Sequence, residues 1–194
     1  MTDTGLRTAS VDDADAVAEV LADAFTDDPV FGWLFPDPAE RPRLSQAMFS
    51  MLGRHLYLAH GESLCGPDVA GFWEPPETPD DAFWTEHGAA FAEALEGQVG
   101  RIGALGVAMA EHHPPEPCWY LPLLGVRPSA QGRGLGGALL ARKLEHIDGL
   151  GGATYLEASS PRNRVLYERH GFELVEEFTA EGSPPLWAMW RAPR

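Results

Sequence analysis

The segment of this 194-residue chain with the plainest chemistry is Gln131-Gly132-Arg133-Gly134-Leu135-Gly136. It follows the apolar run Cys118–Val126 and opens a stretch in which Leu135, Leu139, Leu140, Leu144 and Ile147 recur at helical spacing. Glycine lets the backbone approach a ligand closely and adopt positive φ, which turns successive amide hydrogens outward. A helix beginning there adds the unpaired N–H groups of its first turn and the positive end of its dipole. Together they make an anion site suited to a pyrophosphate, with Arg127 and Arg133 able to add charge at its rim. A nucleotide P-loop would end in Gly-Lys-Ser/Thr, which is absent. A Rossmann fingerprint would need three glycines in an early βαβ unit, with an acidic residue about 20 positions later. The competing reading is a glycine-rich turn that binds nothing.

The elements around this segment can be read from periodicity and turn residues. Leu6–Ala9 reads as an opening strand. Ser10 and Asp13 form a capping pattern before a helix carrying Ala14, Val17, Ala18, Leu21, Ala24 and Phe25. Asp27-Asp28-Pro29 ends that helix, and Val30–Pro38 reads as an irregular aromatic loop. A second helix is expected over about Pro42–His60. Strands follow at Ser63–Cys65 and Val69–Trp73 around the turn Gly66-Pro67-Asp68. Pro75, Pro76 and Pro79 stop regular structure, and helices are expected at Asp80–Leu95 and Arg101–Glu111. After the stiff connector His113–Pro117, the Cys118–Val126 run predicts a strand covered on both faces. A helix over about Gly134–Asp148, a strand at Ala153–Ser159, a break at Pro161 and a short helix at Asn163–His170 come next. Strands at Phe172–Phe178 and Leu186–Arg191 close the chain. No internal repeat, low-complexity tract or linker divides it. The expectation is a single domain over 1–194, large enough to bury a core.

Composition narrows the class. Apolar residues make up 44 % of the chain, which is normal for a globular protein. No apolar run approaches the ~20 residues needed to span a bilayer, so no membrane partner is expected. The first residues are polar and lack the apolar core of a secretory signal. Cys65 and Cys118 predict two reduced thiols in a cytoplasmic protein. The net charge of −15 argues against nucleic acid, which requires a basic face. The charge is uneven: residues 1–126 carry 5 basic and 21 acidic side chains, a net of −16. Residues 127–169 carry 7 basic and 4 acidic ones, a net of +3, around the glycine segment. A polyanion there and a cationic acceptor on the acidic side would both be consistent.

The pattern Val126…Gln131-x-x-Gly134-x-Gly136 after a buried strand resembles the cofactor signature of the GNAT superfamily of N-acetyltransferases. Asn163 with Tyr167 four residues on, and Tyr167-Glu168-Arg169-His170-Gly171-Phe172, resemble the family's tyrosine–glycine–phenylalanine ending. The resemblance spans about residues 6–191 and is dense from 112. Within it, Pro115–Leu121, Leu156–Asn163 and Tyr167–Arg169 look most like the puromycin-acetylating branch. This chain departs from that branch at Asp28 and across Phe31–Phe35.

The resemblance implies an α/β (α+β) fold: a central twisted mixed sheet of six to seven strands, splayed in the middle, with helices on both faces. Residues 6–117 would shape the acceptor pocket and 118–191 would bind acetyl-CoA, a co-substrate, with no metal. Cys118–Val126 and Ala153–Ser159 would run parallel, joined by the helix after the glycines as crossover. Leu124, Gly125 and Val126 would hold the pantetheine arm by main-chain bonds, beside Gln131, Gly132, Arg133, Gly134, Leu135 and Gly136 on the pyrophosphate. Asn163 would touch the arm or cap its helix. Tyr167 would protonate the departing thiolate or simply pack the core. The base is open among Glu157, Glu116, His112 and His113. Trp33, Phe35, Trp73, Trp84, Trp119 and Tyr120 would line an aromatic acceptor pocket or serve as core, with Trp119 favoured, and Asp28 belongs to the same acceptor side. The expected partner is a small-molecule amine, with the protein a monomer or homodimer. Acetylation of a protein N-terminus or lysine, a catalytically silent acyl-CoA module and a Cys118 acyl-enzyme remain as alternatives.

Overall fold

The computed structural model describes residues 5–76 and 81–194. The expected stop at Pro79 and the expected helix start at Asp80 lie outside these residues. Seven strands form one sheet: β1 (Arg7–Thr8), β2 (Leu64–Gly66), β3 (Val69–Glu74), β4 (Trp119–Val126), β5 (Thr154–Ala158), β6 (Glu173–Phe178) and β7 (Leu186–Arg191). Their order is β1-β2-β3-β4-β5-β7-β6. Among the described residues only β4 and β5 pair in parallel, and they do so through Trp119↔Thr154 and Tyr120↔Tyr155 alone. Past Tyr120 the two strands diverge, so the sheet opens at its centre. The apolar run that predicted a strand covered on both faces therefore has half-buried residues at Pro122, Leu123, Leu124 and Val126.

The helices are α1 (Ala14–Ala24), α2 (Pro29–Leu34), α3 (Arg41–Leu52), α4 (Asp81–Ala94), α5 (Gly100–His112), α6 (Leu135–Gly149) and α7 (Pro161–Arg169). Apolar residues of α1 to α5 pack in one cluster with Tyr155, Ala188 and Phe72. Residues of α6 and α7 pack in another with Trp73, Trp119, Leu156 and Met189. The sheet is thus covered on both faces, and α6 is the crossover between β4 and β5.

Three local readings change. Val30–Pro38 is not an irregular loop throughout, because α2 occupies its first half. Asp28 is that helix's N-cap, its Oδ1 accepting from the Val30 and Phe31 amides at 2.9 and 3.2 Å, with Pro29 at the first helical position. The Asp-Pro pair that looked like the end of one helix also starts the next. Similarly, Pro161 opens α7 rather than breaking the chain, with Ser160 as N-cap accepting from the Asn163 amide at 3.2 Å. Asn163 is therefore not the capping residue. The expected second helix is α3 followed by a π turn over Gly53–Tyr57 and a short 3-10 turn to His60.

Helix α1 lies hard against β4. A Cβ on Gly125 would sit 2.7 Å from Ala24 Cβ and 3.1 Å from Leu21 Cδ2. Both neighbours are rigidly placed, so Gly125→Ala is expected to force α1 outward, costing about 1–3 kcal/mol as overpacking does. Thermal unfolding should shift down by about 5 °C for a chain of this size. An unchanged Tm would show that α1 yields freely.

Candidate active site

The glycine segment takes up the geometry its composition implies. Gly132 has φ +78° and Gly134 has φ +79°, and no heavy atom lies within 4 Å of a Cβ built on either. Glycine is required there by backbone conformation and not by crowding. Gly134 is the N-cap of α6, and its carbonyl accepts the Ala138 amide at 2.9 Å. The amides of Leu135, Gly136 and Gly137 thus belong to the first turn, which has no intrahelical acceptors. Gln131, Gly132, Arg133 and Gly134 are exposed. Gln131 Nε2 donates to the Val126 carbonyl at 3.2 Å, and Arg133 donates to the Ser129 carbonyl at 3.1 Å. Gly136 packs its Cα side against Val126 and Leu124, which holds the turn on the open half of β4. A pyrophosphate fits this exposed amide cradle. Arg127 does not act as its rim charge, because it is paired with Glu19 and Asp23 of α1.

The β4 ladder contains a bulge. Phe72 pairs with Leu123 and Glu74 with Tyr120, so β4 uses one more residue than β3 between these pairs. Pro122 sits within it, where a missing N–H is tolerated. The extra residue reverses the facing of β4. Trp119 and Leu121 join the α6 cluster, whereas Tyr120, Leu123 and Gly125 lie toward α1 to α5. On β5, Tyr155 faces α1 to α5 and Leu156 and Ala158 face α6.

Glu157 sits beside Tyr120. The Tyr120 hydroxyl donates to Glu157 Oε2 at 2.7 Å, while Oε1 is shielded from solvent and has no hydrogen-bond partner. Burial pushes this carboxyl up to about 7, against the stabilising hydrogen bond of Tyr120 and the lesser help of Tyr155 and His112. Tyr155 donates its own hydroxyl to the His112 carbonyl at 3.3 Å. His113 places its ring edge-on to both tyrosines, with centroids 5.2 and 4.9 Å away. His112 is held by Glu176 at 2.7 Å and stacks on Phe178. Glu116 is exposed on the connector. Among the four base candidates, only Glu157 combines burial, proximity to the sheet opening and a neutral-range carboxyl.

Tyr167 lies near the C-terminal end of α7, not at its start. It is buried on the α6 face with Leu156, Ala158 and Phe172. Burial, with the Asp28 charge nearby, pushes its hydroxyl well above the usual range, so it stays protonated at neutral pH. Asp28 reaches this region from the other side: its Oδ2 accepts from Ser159 at the end of β5, and Ser159 Oγ accepts from Asn163 Nδ2 at 3.4 Å. Burial raises the Asp28 carboxyl, opposed by Ser159 and the two α2 amides.

The structure brings together Glu157, Tyr167, Asn163, Asp28 and the Leu124–Gly136 segment around the sheet opening. Trp33 is half-buried on α2, with the Arg101 guanidinium 5.6 Å over its ring. Trp119 does not join them. It is buried on the α6 face with the Lys143 ammonium 4.4 Å from its ring centroid, and Tyr120 holds the position facing Glu157. Cys118 is also unsuited to acyl transfer, because burial and then Glu157 push its thiol up to about 11. Sequence reasoning missed Tyr155, Ser159 and Ser160. The serine before Pro161 was a legible helix start; Tyr155 carried no signal of its own. Among the described residues no group of His, Cys, Asp and Glu could hold a metal, and no helix is long and apolar enough to cross a membrane.

A family model described as an acetyltransferase (GNAT) domain matches residues 80–174. A mycothiol acetyltransferase of Beutenbergia cavernae is 39 % identical over 85 residues, covering 42 % of this chain and 29 % of that protein. The matched stretch thus spans less than a third of that relative's length. A second relative, from Streptomyces coelicolor, is also a mycothiol acetyltransferase, so these relatives bear out the likeness to acetyltransferases without singling out the puromycin-acetylating branch. The crystal structure described as histone acetyltransferase HPA2 and related acetyltransferase from Corynebacterium glutamicum superposes with TM-score 0.71 at 26 % identity, covering 97 % of this chain and 96 % of that one. An agmatine N-acetyltransferase shares the fold at 17 % identity and TM-score 0.61, covering 96 % of this chain and 98 % of that one. A seven-stranded sheet opened between its two parallel strands, with a positive-φ glycine turn at that opening, accompanies the likeness of residues 80–174 to the acetyltransferase (GNAT) domain, and the chain has the fold of the acetyltransferases it superposes on.

Proposed function

We propose that this protein transfers the acetyl group of acetyl-CoA to a primary amine of a small molecule, by direct attack in a ternary complex. One observation supports the reading: Glu157, which accepts the hydroxyl of Tyr120 in the last bridged pair before β4 and β5 diverge and is pushed up by burial to about 7, lies across the sheet from the buried, protonated Tyr167. General acid–base catalysis of amine acylation needs such a pair. We read residues 1–194 as one domain, with 118–191 binding the co-substrate and 6–117 shaping the acceptor side.

Acetyl-CoA supplies the acyl group as a thioester. The amides of Gly132 to Gly136 hold the pyrophosphate, Leu124–Val126 offer main-chain groups to the arm, and Asn163 lies alongside. Glu157 accepts a proton from the acceptor's ammonium, which frees the lone pair that forms the C–N bond. A backbone N–H near Val126 receives the developing oxyanion. As the C–S bond breaks, Tyr167 gives its hydroxyl proton to the sulfur. The second proton of the attacking nitrogen passes by way of solvent to the Tyr167 oxygen, and Glu157 releases the proton it took to bulk water, so the products are the amide, the free thiol and one proton. Holding both reactants in contact supplies much of the acceleration. Asp28 acts on the acceptor side through α2, which it caps and ties to Ser159, and Trp33 lines that side.

The acceptor reading is an amine-bearing small molecule such as an aminonucleoside. The relatives named for mycothiol and agmatine support a small acceptor, and the acidic N-terminal half suits a cationic one. The test is thiol release from acetyl-CoA across a panel containing puromycin, agmatine, aminosugars and lysine peptides. Release that depends on one of the small amines is expected. Release with the peptides alone would replace the small-molecule reading, and none with any amine would replace catalysis with binding.

A further inference from the structure

The two oxygens of Glu157 have different surroundings. Oε2 accepts the Tyr120 hydroxyl at 2.7 Å, while Oε1 is shielded from water and unbonded. An orphaned buried oxygen next to a satisfied one marks the side on which a ligand completes the group. Tyr120 is itself held tightly. It forms the last bridged pair with Tyr155 before the strands diverge, stacks on that ring at 5.9 Å and meets the His113 edge at 5.2 Å. The bulge that follows at Pro122 leaves Tyr120 on the same face as Leu123 and Gly125. We propose that Tyr120 is a positioning residue for acetyl transfer, anchoring Glu157 by Oε2 so that Oε1 alone receives the acceptor's proton. This rests on the reading of Glu157 as the base.

The same bond sets the pH at which the base works. Around the carboxyl stand Tyr155 on its own strand, Cys118 before β4 and His112 at the end of α5. Tyr57 of the π turn acts on Tyr120, while Glu74, Glu116 and Glu176 act on Cys118 and Tyr155. Of these, the Tyr120 hydrogen bond is the largest influence favouring the charged carboxylate. Its removal therefore raises the Glu157 pKa, and the acid limb of activity moves to higher pH.

The experiment follows the carboxyl directly, with no acceptor needed: infrared difference titration of the whole chain labelled with ¹³C-glutamate, with Glu157→Gln to assign the band. The expected midpoint is about 7 in the parent protein, and Tyr120→Phe should move it up by about one unit, as loss of a charge-assisted bond does. With puromycin as the acceptor probe, kcat/KM should then fall about tenfold at pH 6 and barely at pH 9. A midpoint unmoved by Tyr120→Phe would overturn the proposal. Should that variant not fold, 3-fluorotyrosine placed at 120, a stronger donor, should lower the midpoint, and a midpoint unmoved by it would overturn the proposal equally. Undiminished turnover in Glu157→Gln would instead remove the base, so the two failures are distinct.

Discussion

Tyr167→Phe is expected to lower kcat about 100- to 1000-fold, within the range general acid catalysis provides. The affinity for acetyl-CoA should stay within about twofold, because the lost group acts only as the C–S bond breaks. The ring is buried among Leu156, Ala158 and Phe172, and phenylalanine keeps that packing. Only the hydroxyl is removed, so Tm should hold. Burial and the Asp28 charge keep the phenol protonated through neutral pH, which makes it a proton donor and not a base. The alkaline limb of the pH profile should therefore not report Tyr167, whereas the acid limb should report Glu157 and fall as pH drops through about 7. Steady-state kinetics at saturating co-substrate with calorimetry on both proteins makes the check. Wild-type turnover in the variant would remove Tyr167 from the chemistry and leave it as core.

The second large effect concerns the anion cradle. Gly134→Val places a β-branched residue at φ +79°, where nothing crowds a Cβ. The penalty is therefore purely backbone, about 1–2 kcal/mol for the left-handed region and more for a branched side chain. The turn is exposed and free to rebuild, so it escapes this strain by abandoning the positive φ that turns its amides outward. Acetyl-CoA affinity should then weaken by about 10- to 100-fold, as the cost in backbone free energy converts to a dissociation constant. Turnover at saturation should change far less, because Glu157 and Tyr167 lie elsewhere. Gly149→Ala, at the other end of α6 with no positive φ and nothing near its Cβ, is the matched control. Equal affinities in the two variants would argue that the turn does not hold the pyrophosphate.

Both variants act on residues legible in the sequence, for different reasons. The glycine turn and its following helix were legible from local chemistry, whereas Tyr167 came forward through the family resemblance. Positive φ is a property of glycine, and helix-start amides are free wherever a helix begins. Strand and helix periodicities likewise gave most elements, from α1 through β7. Where local signals were misread, they were read with one meaning when they carried two. Asp28-Pro29 both stops α1 and caps α2, and Pro161 at the first position of α7 starts a helix instead of breaking the chain.

The acceptor side depended on what the tertiary structure decided. Trp119 was favoured as a pocket residue because it lies on the strand feeding the site, and strict alternation along β4 would put it on the same face as Leu123 and Gly125. One extra residue at Pro122 breaks that alternation, sends Trp119 under α6 and turns Tyr120 toward Glu157. A bulge is defined by two strands compared with each other, so one strand's sequence cannot announce it. The neutral-range carboxyl of Glu157 has the same origin, since desolvation depends on what packs around a group and not on its neighbours in the chain. Arg127 is the converse case: a charge well placed in sequence to meet a phosphate is neutralised by Glu19 and Asp23, more than a hundred residues earlier.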